Sequence, residues 1–184
     1  MRSAGCWALF FGIESAVPRI LKYYNKGTTP DMARVAVRNC HNVGMDAYGG
    51  LILGAPGETK EEMWTTIRFA KKIGIDFPNL YILYAYPGTP IWREVTSEGY
   101  AEEDRYWETG VAVPEVSPTC LPMDAVRRVV KEGYRYLLTS PDYMFRQMVK
   151  SVGAPVRRAI LSKNLSFKKL RKAVSALLSS EHYY

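Results

Sequence analysis

Three stretches carry nearly unbroken apolar runs, and the segments between them space their apolar residues three and four apart. The runs lie in AGCWALFFGIES from Ala4, VGMDAYGGLILGAPGET from Val43 and IGIDFPNLYILYAYPGTP from Ile73. Each segment opens near a glycine (Gly5, Gly44, Gly74), continues into β-branched or aromatic residues and ends in a polar or Pro/Gly loop. Continuous apolar runs bounded by turn signals are the pattern of strands covered in a parallel sheet. The repetition marks three copies of one strand–loop–helix unit.

The intervening helices announce their starts. Thr29-Pro30 pairs a capping hydroxyl with a proline at the first helical position. The helix it begins extends to about Val43, where Gly44 supplies the left-handed stop that glycine adopts cheaply. Thr59 caps a second helix, with Glu61 and Glu62 at its positive end and Met63, Ile67, Ala70 and Lys71 at helical spacing up to Gly74. Thr89-Pro90 starts a short third helix ending at Gly99. Single helices between strands imply parallel pairing through right-handed crossovers. Glu14-Ser15, the GAPGET loop and the turn Tyr86-Pro87-Gly88-Thr89 then fall together at the C-terminal ends of the strands, the edge that carries ligand sites in parallel α/β folds.

Beyond Gly110 the texture changes. Residues 101–121 have a loop-like pattern with several prolines. Helices are expected over 122–139 and 141–152, from Pro155, and over 167–179. The organisation is therefore a βα domain at 1–100, a linker at 101–121 and a helical region at 122–184. About 100 residues of βα pattern are too few for a closed barrel, which takes about 250. Three strands also leave an open edge, which invites pairing with another chain.

Charge sharpens this picture. The formal net charge is +7, from 25 basic and 18 acidic residues. No acidic residue lies between Tyr143 and Ser180, and nine basic ones do, from Arg146 to Lys172. Without those nine, 16 basic residues face 18 acidic ones, so the basicity belongs to the tail. The 167–179 helix sets Phe167, Leu170, Val174, Leu177 and Leu178 against Lys168, Lys169, Arg171 and Lys172. Such a helix suits nucleic acid or an anionic membrane surface, with a solvated helix face as the plainer alternative. No apolar run approaches the roughly 18 residues of a membrane span. No export signal is visible, and the expected location is the cytoplasm.

The chemistry that the residues allow is narrow. Cys6, Cys40 and Cys120 are widely spaced and form no CxxC or CxxxCxxC, so they offer no cysteine cage for a metal. Two histidines, His41 and His182, complete no nucleophile–histidine–acid set. GAPGET lacks the lysine of a P-loop, and no GxGxxG occurs. Gly54-Ala55-Pro56-Gly57 fits two readings. One is a plain tight turn. The other is a close-approach loop whose backbone groups meet the edge of a flat ligand, with Ile52 and Leu53 as apolar wall. Glu14 suits a hydroxyl pair or an amino group, or else pairs with a nearby lysine or arginine. Ser15 then caps a helix from Ala16.

GIES at 12–15, NKG at 25–27, LILGAPGET at 51–59 and YPGTP at 86–90 resemble, in this order and at similar spacing, motifs of radical SAM enzymes. The nearest resemblance is to the subgroup that often carries a preceding cobalamin-binding domain, such as relatives of the anaerobic magnesium-protoporphyrin ester cyclase. It covers about residues 1 to 95, and more weakly Leu121 to Met148. The resemblance implies an α/β fold: the C-terminal half of a partial (β/α) TIM-type barrel, strands four to six, followed by a helical C-terminal region. S-adenosylmethionine (SAM) would lie across the strand ends. The resemblance places Glu14, with Ser15 beside it, at the ribose or methionine end and Lys26 at the SAM carboxylate. It places Ile52 and Gly54, Pro56 and Gly57 along the adenine, with Tyr86, Pro87 and Gly88 closing the other side.

This chain departs from the family in two ways. The CxxxCxxC that holds the family's 4Fe-4S cluster does not occur, so the cluster, and any cobalamin, would belong to the complete enzyme. The chain alone is expected not to cleave SAM. Ala16-Val17 stands where the subgroup usually has Gly-Ser. The implied partners are the missing N-terminal half or another chain at the open edge, and a small-molecule substrate that the sequence does not name. A non-catalytic role, completing the sheet on another chain, is the alternative.

Overall fold

A computed structural model describes residues 1–98, 107–108 and 121–151. After a short 3-10 turn at Arg2–Ala4, the order is β1 (Ala8–Glu14), α1 (Pro18–Tyr23), α2 (Pro30–Asn42), β2 (Asp46–Leu53), α3 (Lys60–Ile73), β3 (Phe77–Ile82), α4 (Pro90–Ser97), α5 (Met123–Leu138) and α6 (Pro141–Ser151). The helices expected from Pro155 and over 167–179, and nearly all of the 101–121 linker, lie outside the described residues. Among the described residues, no helix is long and apolar enough to cross a membrane.

The three strands form one parallel sheet in the order β1-β2-β3. This is the α/β architecture of a partial βα barrel. Gly12 pairs with Gly50, and Gly50 with Asn79, so these three residues form one row across the sheet. The register shifts between Gly12 and Glu14, at the end of β1.

Local signals set the helix ends. The Thr29 side chain accepts the N–H of Met32, and Thr59 with Glu62 forms a reciprocal capping box. The left-handed Gly74 closes α3. α4 ends at Ser97, and Gly99 lies outside the described residues. α1 starts at Pro18 with Val17 as its cap, two residues later than a cap at Ser15 requires.

One face of the sheet packs on helices. Ile13, Ala47, Leu51, Leu53 and Leu80 join Val37 of α2, Met63 and Ile67 of α3, and Val126 and Val129 of α5 in one core. Burying each large aliphatic side chain there contributes about 1.5–3 kcal/mol. α5 sits close because residue 133 is glycine. A Cβ at Gly133 would stand 2.8 Å from Ile67 Cδ1 and 3.0 Å from Leu80 Cδ1.

The next residue, Tyr134, covers the edge of β3. Its hydroxyl accepts the Leu80 N–H at 2.9 Å and approaches the Leu80 carbonyl at 3.5 Å. At Leu80, therefore, α5 covers this edge. Along β1, a cavity of about 650 Å³ opens between the strand and α2, lined by Leu9, Phe11, Ala36, Cys40 and Met45 among others.

The chain divides into two compact units, Met1–Leu137 and Leu138 onward. In the second, α6 begins at Pro141, and the Ser140 carbonyl accepts the N–H of Met144 at 3.0 Å.

Candidate functional site

The C-terminal ends of the strands carry the three loops expected there, and each is bent at a residue with positive φ. Glu14 ends β1 at φ 61°, a left-handed conformation that costs a non-glycine residue about 1–2 kcal/mol. Gly54 and Gly57 bracket the second loop at φ 94° and 65°, and Gly88 turns the third at φ 84°. The strain is held at Glu14, where glycine would be cheaper.

That side chain turns back over the sheet. Glu14 Oε1 accepts a hydrogen bond from Lys26 Nζ at 2.7 Å. The pair lies directly above Gly12, where a Cβ would stand 2.5 Å from Glu14 Oε1 and 3.0 Å from Lys26 Nζ. Lys26 arrives there through a turn with left-handed Asn25 and Gly27 on either side of it. Glu14 is largely covered and Lys26 half-exposed, so the pair faces a surface that a ligand can reach.

The GAPGET loop is held from within. Glu58 is 1% exposed, and its Oε2 accepts the N–H groups of Gly54 at 2.6 Å and Ala55 at 3.0 Å. Those two donors are therefore spent inside the protein, and a flat ligand at this turn would meet other backbone groups. Burial pushes the Glu58 carboxyl above its ordinary value, opposed by the two N–H donors. Its Oε1 and the hydroxyl of Tyr24 are buried without a hydrogen-bond partner. Burial, with the charges of Glu58 and Glu14, raises the Tyr24 phenol as well.

Arg19 clamps the same loop from outside. It donates to the Gly57 carbonyl at 2.8 Å and to both oxygens of Glu62, with Nε to Oε1 at 2.7 Å. This arginine holds the Glu62 carboxyl down at about 2.

The expected site residues separate into two groups. Glu14 and Lys26 meet, and Gly54, Pro56 and Gly57 form the neighbouring turn. Ile52 is half-buried against Ile20, Ala55 and Leu83 under this rim. Tyr86 is exposed and Pro87 half-buried beside Gly88, and the Tyr86 carbonyl accepts both the N–H and the hydroxyl of Thr89. Ser15 does not face the rim. It is fully buried, hydrogen-bonds Thr66 Oγ1 at 3.1 Å and accepts the Val17 N–H. Its hydroxyl ties the start of the first loop to α3 rather than capping a helix.

Sequence reasoning passed over Glu58, Arg19 and Tyr24. For Glu58 a signal existed: an acid four residues after the first glycine of a strand-ending turn, just before the helix cap, can fold back onto the turn's N–H groups. His41 lies at the other end of the sheet. There its Nε2 meets the buried Asp76 at 2.8 Å, and Asp76 also accepts the Ala47 N–H.

Comparison with known proteins supplies a family for this arrangement. Residues 1–70 match the model of the radical SAM superfamily. An uncharacterised methyltransferase of Pyrococcus horikoshii is 31% identical over 160 residues, covering 87% of this chain and 35% of that protein. The bacteriochlorophyllide d C-12(1)-methyltransferase of Chlorobaculum tepidum is 31% identical over 93 residues, covering 50% of this chain and 20% of that enzyme. The chain belongs to the radical SAM superfamily. The anaerobic magnesium-protoporphyrin IX monomethyl ester cyclase of Cereibacter sphaeroides is 27% identical over 134 residues, covering 73% of this chain and 22% of that enzyme. The matched stretch thus spans about a third or less of each of these relatives.

A radical SAM enzyme needs SAM and a 4Fe-4S cluster, and the two can be tested against these residues. The rim fits SAM: a carboxylate and an ammonium 2.7 Å apart match the ammonium and carboxylate of the methionine portion, and a glycine turn lies next to them. The described residues do not fit the cluster. Among them, no group of three or more His, Cys, Asp or Glu is placed to hold a metal ion. Cys6 donates to the Ala8 carbonyl at the start of β1, and Cys40 is buried in α2.

Proposed function

We propose that the rim formed by Glu14, Lys26 and the Gly54–Gly57 turn binds the methionine and adenosine portions of SAM in a radical SAM enzyme. The observation that carries this reading is the Glu14–Lys26 ion pair, set on a left-handed residue at the end of β1 and facing the reachable side of the rim. When bound, SAM supplies the carbon–sulfur bond whose one-electron cleavage starts the radical chemistry. Lys26 would take the SAM carboxylate through a charge-assisted hydrogen bond. Glu14 would take the SAM ammonium or a ribose hydroxyl. Glu58 and Arg19 would fix the turn that receives the adenine, one from below and one from outside. Tyr86 to Gly88 would close its other side, with Ile52 as apolar support.

Titration of SAM into the chain, followed by calorimetry, tests this. Lys26→Met is expected to weaken binding roughly tenfold, the order of one charge-assisted hydrogen bond. Equal affinity in Lys26→Met and Glu14→Gln would overturn the assignment.

In the same reading the chain is the SAM-facing part of a larger active unit, inactive alone. The cluster, and a cobalamin if the subgroup's domain is present, would be supplied by other polypeptide. The edge of β1, with the 650 Å³ apolar cavity beside it, suits the strand and helix of a further βα unit. Co-expression with the reading frame upstream should yield a complex that Leu9→Arg disrupts; co-elution unaffected by Leu9→Arg would remove β1 as the junction. Methyltransferases among the relatives support methyl transfer as the reaction class.

A further inference from the structure

We propose that Glu58 and Tyr24 form a buried proton switch beneath the rim: a cation bound above it expels the Glu58 proton to solvent, and SAM is held more tightly as pH rises. As part of a SAM site, the switch rests on the SAM reading of the rim. The Glu58 carboxyl is paired on one side only. Its Oε2 takes two backbone donors, the N–H groups of Gly54 and Ala55. Its Oε1 is buried and has no hydrogen-bond partner among the described residues. Buried polar atoms are paired in the great majority of cases, so an orphan calls for a physical account. The Tyr24 hydroxyl is a second such orphan. Tyr24 caps the C-terminal end of α1 and packs on the cluster of Ile20, Ala55 and Leu83, which includes the turn that Glu58 holds. A phenol suits both states of an acid. Its oxygen accepts from a neutral carboxyl, and its O–H donates to a carboxylate.

The surrounding charges set the direction of the switch. Burial favours the neutral carboxyl, and Glu62 of α3 adds to it, against the two N–H donors and Arg19 of α1. The balance leaves Glu58 holding its proton above the ordinary 4.5. Burial and the charges of Glu58 and Glu14 raise the Tyr24 phenol, so Glu58 is the member that titrates. Leu83, just after β3, and Ile91 of α4 bring no charge to this cluster. SAM carries a fixed sulfonium charge. With Lys26 against its carboxylate and Glu14 against its ammonium, the sulfonium is the charge the rim leaves unbalanced. A positive charge near a buried carboxyl favours the anion, which Tyr24 then serves as donor. The coupling is reciprocal: a ligand that drives off the proton binds more tightly once the proton is gone.

The test is carbon-13 NMR of the full chain labelled at its glutamate carboxyls, with the Glu58 signal assigned by its loss in Glu58→Gln. The probes are SAM and S-adenosylhomocysteine, which has the same polar groups but a neutral sulfur. The Glu58 midpoint is expected above 4.5 in the free chain, lowered by saturating SAM and much less by S-adenosylhomocysteine. SAM affinity, followed by calorimetry, should rise roughly 5-fold or more with pH between the free and bound midpoints, the low end of such couplings. Glu58→Gln has no proton to lose there and should lack this rise. Tyr24→Phe should move the free midpoint further up, because the carboxylate loses its donor. Three outcomes overturn the switch: a free midpoint at or below 4.5, equal shifts with the two probes, or a Glu58→Gln variant whose SAM affinity rises as the parent's does. SAM binding that Lys26→Met weakens, with Glu58 unmoved, would end the switch and leave the rim reading standing. A raised Glu58 midpoint with no SAM binding to the parent would sink the rim reading and the coupling together.

Discussion

The carboxylate of Glu58 receives the backbone N–H of Gly54 at 2.6 Å, across the turn that the glutamate itself terminates. With the second bond to Ala55, one buried side chain replaces the two partners that the N–H groups lost when the strand ended. The rim's shape thus depends on a residue that need not touch the ligand.

Glu58→Ala leaves two buried donors unpaired and is expected to destabilise the chain by about 3 kcal/mol. Glu58→Gln keeps an acceptor for both donors and should cost under about 1 kcal/mol. The pH dependence separates them further. Burial raises the Glu58 carboxyl in the folded state. Its contribution to stability is therefore fully present below the ordinary 4.5 and lost as pH rises through the raised value. Urea unfolding at several pH values should show this loss in the parent chain and not in Glu58→Gln. Parallel pH curves for the two would refute the burial argument.

The outer clamp has the opposite sign. Arg19 lowers the Glu62 carboxyl from 4.5 to about 2. Its stabilisation is present above pH 4.5 and lost as pH falls through about 2. The effect is small because Arg19 is half-exposed, so solvent screens the pair. Arg19→Gln should lower the midpoint of thermal unfolding slightly at neutral pH, with the difference closing near pH 2. A difference that persists at pH 2 would assign Arg19's role to the Gly57 carbonyl instead.

Tyr134 is the test of how the sheet ends. Removing its hydroxyl in Tyr134→Phe strips the Leu80 N–H of its partner. The expected cost is about 1–2 kcal/mol, less if water reaches the strand edge. Amide exchange at Leu80 should accelerate while exchange in β2 stays slow. Unchanged protection at Leu80 would mean that α5 shields the edge by packing alone.

Much of this architecture was legible because its signals are local. Thr29-Pro30, Thr59 with Glu62, and Gly74 each act within one helical turn, and the structure places helix ends where they stand. The covered strands were legible from unbroken apolar runs. What stayed hidden depends on contacts between distant residues. Tyr134 reaches Leu80 across 54 positions, and Ser15 reaches Thr66 across 51. Ser15 looked like the cap of a helix from Ala16 because serine is a favoured residue just before a helix's first turn. Here the helix starts two residues later, and the hydroxyl turns inward. At the rim, the sequence offered Glu14 a lysine or arginine partner without naming it. The closeness of Lys26 depends on the tight turn around Asn25 and Gly27.

The left-handed backbone at Glu14 allows function to be separated from stability. Glu14→Ala keeps the strained φ of 61° and loses the ion pair. Glu14→Gly loses the same pair but adopts that φ freely. The glycine variant should therefore be more stable than the alanine variant by about 1 kcal/mol, the strain of a left-handed residue less the extra entropy of glycine in the unfolded chain. Both should lose SAM affinity to a similar extent, because neither has a carboxylate for Lys26 or the ligand. The measurements are urea unfolding and SAM titration on the two variants. If Glu14→Gly were the less stable, the left-handed turn would not be a source of strain. If either variant bound SAM as the parent does, the carboxylate would have no part in holding it.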